Sequence, residues 1–99
     1  MKIIKRNGTE VIFDINKIKN AIRKANKEVE GLDKLSEEAI DEVSSNVEHA
    51  CLNMNRCPNV EEIQDLVENQ LMNRHAFKLA RTYITYRYRR ALVRQSNTT

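Results

Sequence analysis

Lys2-Ile3-Ile4-Lys5-Arg6-Asn7-Gly8-Thr9-Glu10-Val11-Ile12-Phe13-Asp14-Ile15-Asn16-Lys17 is the stretch that decides how this chain folds. Asn7-Gly8 lies between two short apolar runs, and Asn-Gly in that setting is a strong hairpin signal because both residues accept positive φ at low cost. Residues 2–6 and 10–13 are therefore predicted to be paired strands. Asp14 suits a helix N-cap, its carboxylate accepting from the free amides of the first turn. Ile15, Ile18, Ile22, Ala25 and Val29 follow at helical spacing, which predicts a first helix to about Glu30 with Gly31 as its left-handed stop. Folding the hairpin over this helix would gather Lys5, Arg6 and Lys17, a lid and a floor for a small anion.

Outward from there the pattern is helical. Ser36 caps a second helix whose first turn holds Glu37 and Glu38, and Ile40, Val43, Val47, Cys51 and Met54 form its inner stripe. Pro58 interrupts the pattern and biases Cys57 towards an extended conformation, which suggests a short third strand. Asn59 with Glu62 reads as a capping box for a third helix carrying Ile63, Leu66, Val67 and Leu71. A turn at Asn73 or Arg74 leads into a fourth, with Ala76, Leu79, Ala80, Tyr83, Ile84, Arg87 and Ala91 on one side. The expected fold is α+β: a four-helix bundle capped by a small N-terminal β-hairpin or three-stranded sheet. Residues 1–94 make one domain, and 95–99 lack an apolar anchor and read as a frayed tail or the start of a linker.

The 99 residues carry a net charge of +3 that is unevenly spread. Residues 31–68 hold ten acids against Lys34 and Arg56, whereas beyond 68 there is no acid, only Arg74, Lys78, Arg81, Arg87, Arg89, Arg90 and Arg94. Basic ends that meet in space would build a positive potential suited to phosphates; solvated helix faces with loosely paired charges account for the same pattern. No apolar run approaches the ~20 residues of a membrane span, and the opening residues lack the n-region, h-region and cleavage-site pattern, so export is not expected. Two cysteines fit a reduced, cytoplasmic setting.

Several chemistries find no footing. His49, Cys51, Cys57 and His75 match no metal-site spacing, and no nucleophile motif stands out, so neither catalytic nor metal residues are expected. With glycine only at 8 and 31, a Walker loop and a dinucleotide fingerprint are both ruled out. Tyr83, Tyr86 and Tyr88 interleave with arginines as in single-strand nucleic-acid binders, although Tyr83 falls on the apolar stripe. A nucleotide phosphate site remains: Lys5, Arg6, Lys17 and an arginine late in the last helix around a triphosphate, with Ile3, Phe13 and Ile18 near enough in sequence to form an apolar slot.

Ile4-Lys5-Arg6-Asn7-Gly8 and Phe13-Asp14-Ile15-Asn16-Lys17-Ile18 resemble the opening of an ATP-cone domain. Val60-Glu61-Glu62-Ile63-Gln64-Asp65-Leu66-Val67-Glu68 resembles its third helix, and Ala80-Arg81-Thr82-Tyr83-Ile84-Thr85-Tyr86-Arg87 its last, so the likeness spans roughly residues 2–92. Glu68-Asn69-Gln70-Leu71-Met72 and Tyr86-Arg87-Tyr88-Arg89-Arg90 resemble the anaerobic ribonucleoside-triphosphate reductases. The resemblance implies a regulatory domain, not itself an enzyme, in which ATP or dATP, with Mg2+, sets the activity of an attached reductase catalytic domain, with oligomer contacts through the cone and no membrane. The alternative is the cone of a nucleotide-responsive repressor that binds DNA; that family has a four-cysteine zinc ribbon ahead of the cone, which this sequence lacks. By position, the resemblance places phosphates on Lys5, Arg6, Lys17 and Arg89. It places adenine and ribose on Ile3, Phe13, Asp14, Ile18 and Gln64. Two positions depart from the family pattern: Val11 stands where a carboxylate is frequent, and Val60 where a hydroxyl residue is.

Overall fold

The structure, a computed structural model, describes residues 1–31 and 34–96, with side chains through residue 89. The expected tail from 95, and Arg90, Ala91 and Arg94, fall outside the described side chains. Six elements follow in order: β1 (Lys2–Ile4), β2 (Glu10–Ile12), α1 (Ile15–Asn26), α2 (Glu37–Leu52), α3 (Val60–Asn73) and α4 (Phe77–Ser96).

The hairpin is antiparallel, with Ile3 opposite Val11 and Ile4 opposite Glu10. Its turn differs from the Asn7-Gly8 expectation. Gly8 N donates to Lys5 O at 2.9 Å and Lys5 N to Thr9 O at 2.8 Å, so the loop is Arg6-Asn7-Gly8. Only Gly8 takes a positive φ, +85°. This is the three-residue loop that ends on a left-handed glycine. Asn7 contributes through its side chain, whose Oδ1 accepts from Thr9 N at 3.0 Å. The strands are correspondingly shorter than 2–6 and 10–13.

The sheet has two strands, not three. The segment before α3 offers one parallel bridge, Ile4 to Asn59, with Ile4 N donating to Pro58 O at 2.9 Å. Pro58 has no N–H to return, and Asn59 is already committed to the helix, so the ladder stops after one rung.

The caps form as the residue types dictate. Asp14 accepts from Asn16 N, Ser36 from Ala39 N, and Asn59 and Glu62 complete a capping box. α1 ends at Asn26, short of the expected Glu30. The Asn26 carboxamide is buried and closes two hydrogen bonds of 2.9 Å with the backbone of Leu35, which turns the chain out of the helix. Val29 still reaches the core from outside the helix, at 4% exposure, and Gly31 takes its φ of +74° in the loop. α3 stops at Arg74 and His75, where His75 adopts φ +61° and its N–H bonds Met72 O.

α1 packs on α2 and α4, and α3 on the same two, giving a square bundle. Its centre is sealed by Ile22, Val43, Val47, Val67, Leu71 and Leu79, all fully buried. Cys51 and Tyr83 join this core, as expected; Ile84 instead faces outward at 37% exposure and Met54 is half-buried past the end of α2. The hairpin lies across one end of the bundle, where Ile3 and Phe13 pack against the core.

Candidate functional site

The inner faces of the hairpin, the first turns of α1, the start of α3 and the middle of α4 enclose a cavity of about 370 Å³. That lies within the roughly 300–1,000 Å³ of small-ligand sites. Alternation along the strands explains the roof: Ile3, Val11 and Phe13 turn inward while Ile12, at 77% exposure, edges the mouth. Helical spacing explains the floor: Lys17, Ala21 and Lys24 stand at i, i+4 and i+7 on α1, beside Ile18. Val60, Ile63 and Gln64 come from α3, and Tyr83, Tyr86 and Arg87 from α4.

Seven residues singled out in the sequence meet here: Ile3, Lys5, Phe13, Asp14, Lys17, Ile18 and Gln64. Two do not line this cavity. Arg89 is exposed on α4. Arg6 points away and meets Glu61 at 2.5 Å, lining instead a smaller cavity with Glu61, Glu68, Ile84, Arg87 and Tyr88. The α4 cation on the main cavity is Arg87. Lys24, Tyr86 and Arg87 escaped the sequence reading as site residues; the seven-residue step from Lys17 to Lys24 was the available signal for the first. Val11 and Val60 both line the cavity, which makes its wall more apolar than the family pattern implies.

The cavity's cations fall into two groups. Lys5, Lys17 and Lys24 are exposed and have no ion-pair partner among the described residues. Arg87 is heavily engaged: Glu61 at 2.5 Å, Asp65 at 2.8 Å and Glu68 at 2.8 Å all share its guanidinium. Burial opposes the Arg87 charge, but the three carboxylates outweigh it and hold its pKa above the ordinary value. The Arg87 hydrogen bond in turn pulls the Glu61 carboxyl below its usual range against the effect of burial, with Arg6 adding to the pull. Tyr86 is tied to Glu28, whose carboxylate raises the phenol pKa.

Among the described residues, two buried side-chain oxygens lack a hydrogen-bond partner, Ser44 Oγ and Gln64 Oε1. Ser44 lies in the bundle core, whereas Gln64 belongs to the cavity wall with its Oε1 covered. Asp14 uses Oδ1 to cap α1 at 3.0 Å from Asn16 N. Unpaired lysines, an apolar slot and a buried acceptor together fit a ligand that is anionic at one end and flat, apolar and hydrogen-bonding at the other. Among the described residues no cluster of three or more His, Cys, Asp or Glu is arranged to hold a metal, and no helix is long and apolar enough to cross a membrane.

Residues 1–92 match the family described as the ATP cone domain. The chain is 31% identical over 104 residues to the ribonucleoside-diphosphate reductase subunit alpha of Chlamydia trachomatis, covering 97% of this chain and 10% of that one. It is 39% identical over 100 residues to the vitamin B12-dependent ribonucleoside-diphosphate reductase of Thermoplasma acidophilum, covering 95% and 12%. It is 38% identical over 94 residues to the anaerobic ribonucleoside-triphosphate reductase of Salmonella typhimurium, covering 94% and 12%. The chain thus spans about a tenth of the length of the curated relatives it matches.

Proposed function

The chain belongs to the ATP-cone family, and from that premise we propose that it is a non-catalytic adenine-nucleotide sensor through which ATP and dATP set the activity of a ribonucleotide reductase. The observation that carries this reading is the coexistence, in one cavity, of unneutralised lysines with an apolar slot. Lys5 on the hairpin and Lys17 on α1 face a triphosphate from roof and floor. Ile3, Phe13 and Ile18 sandwich the base. The Asp14 oxygen not used in capping accepts from the adenine amino group. Mg2+ arrives on the phosphates.

Regulation requires that ATP and dATP stabilise different states by different amounts. They differ at the ribose 2′-hydroxyl, a donor that dATP lacks, and Gln64 Oε1 is a buried acceptor in need of one. That pairing favours ATP. For the parent enzyme we propose the anaerobic, triphosphate-reducing type, on the resemblance of Glu68-Asn69-Gln70-Leu71-Met72 and Tyr86-Arg87-Tyr88-Arg89-Arg90. Relatives of comparable identity include diphosphate reductases as well. A nucleic-acid interface on α4 has less support, because Tyr83 is buried and Arg87 is occupied by carboxylates.

Titration calorimetry with ATP, dATP and GTP tests the reading. Saturable heat is expected with the two adenine nucleotides, and none at millimolar concentration would overturn it. Lys5→Ala combined with Lys17→Ala removes two charge-assisted contacts of about 1.5–3 kcal/mol each. Binding should be lost from the measurable range while far-ultraviolet circular dichroism stays unchanged.

A further inference from the structure

Arg6 in the hairpin loop and Arg87, the α4 cation on the main cavity, are both held by the same acid. Glu61 takes Arg6 on Oε1 and Arg87 on Oε2, each at 2.5 Å, and so staples the hairpin to α4 through α3. Asp65 and Glu68, one and two turns further along α3, complete the hold on Arg87. Arg87 stands in the wall between the two cavities, with its side chain only 21% exposed. A guanidinium fork fits a phosphate as well as it fits a carboxylate. The cluster also has an acid in excess, three carboxylates to two arginines. Of the cluster, Arg87 alone lines the main cavity, so an anion entering there meets its partly buried, weakly screened guanidinium first.

Resting on the nucleotide reading above, we propose that Glu61 is an affinity-setting residue that competes with the ligand's phosphates for Arg6 and Arg87. With Glu61 in place, the two arginines are turned onto protein carboxylates and the cavity presents its lysines alone. A polyphosphate that reaches past Lys5 and Lys17 draws Arg87, then Arg6, off Glu61. The affinity observed is therefore the intrinsic one reduced by the strength of the Glu61 staple. Glu61 acts through the arginines and does not touch the ligand.

The test is calorimetry of the 99-residue chain and its Glu61→Gln variant with ATP and, separately, with inorganic tripolyphosphate. Two exposed or half-buried ion pairs are relieved, so both probes should bind about two- to tenfold more tightly to the variant. Asp65→Asn, which loosens Arg87 alone, should give a smaller gain of the same sign. Unchanged or weaker binding to folded Glu61→Gln, with the original chain binding normally, would overturn the competition while leaving the sensor reading intact. Absence of ATP binding by the original chain would remove both. A gain for ATP without one for tripolyphosphate would also overturn it, since the competition is for phosphate.

Discussion

The bundle and the hairpin are built on opposite principles. In the bundle, Ile22, Val43, Val47, Val67, Leu71 and Leu79 have no measurable exposure, and four helices close around them. In the hairpin no residue is fully buried: Ile3, Ile4, Val11 and Phe13 are half-covered, Lys2, Lys5 and Glu10 stand in solvent, and Arg6 is tied to Glu61. A two-stranded ribbon of this length is marginal by itself. It is held by its contacts with the bundle end and by backbone bonds such as Phe13 N to Met1 O at 2.8 Å. The bundle therefore supplies stability, and the hairpin roofs the cavity at its end.

Substitutions can break or sharpen this contrast. Leu79→Ala, in the sealed centre, should cost about 2–5 kcal/mol and lower the melting temperature by roughly 10 °C or more. A loss below 1 kcal/mol in urea denaturation would mean the core is not where the stability resides. Gly8→Ala should act locally. No atom crowds the new methyl group, so the penalty is the left-handed backbone alone, about 1–2 kcal/mol. Hydrogen exchange should quicken at Lys5 and Gly8 while the amides of α2 keep their protection; equal loss in both regions would erase the distinction.

The smallest expected effect concerns acid. Glu62 is held down from 4.5 to about 2 by the Arg56 guanidinium and by the Asn59 amide it caps. A depressed folded pKa stabilises above the unfolded value and ceases to do so as pH falls through the folded one. Its contribution is thus complete above about 4.5 and fades towards about 2. Glu62→Gln should flatten the acid limb of a stability profile in that window; an unchanged limb would show that the Arg56 pair has no thermodynamic weight.

Local chemistry was legible in the sequence, and what depended on distant partners was not. Asp14, Ser36 and Asn59 announced three helix starts because a cap is settled within four residues. The end of α1 was misjudged because Val29 keeps the apolar period after the helix has stopped, and the cause of the stop, Leu35, lies nine residues beyond Asn26. The same rule divides the site. Lys5 and Lys17 were readable from the hairpin and the first turn it covers. Arg6 was read as a phosphate contact, but Glu61 is fifty-five positions away in the sequence, and nothing near Arg6 signals the pair. The stripe of Glu61, Asp65 and Glu68 was visible as i, i+4 and i+7 on one helix, yet which cation it faced required knowing that α4 packs there.

The single rung between Ile4 and the Pro58–Asn59 corner has a mechanical meaning. The corner that starts α3 is also the rail on which the roof rests. Because the same corner carries the Asn59 cap, the position of the hairpin and the start of α3 are fixed by one shared backbone bond.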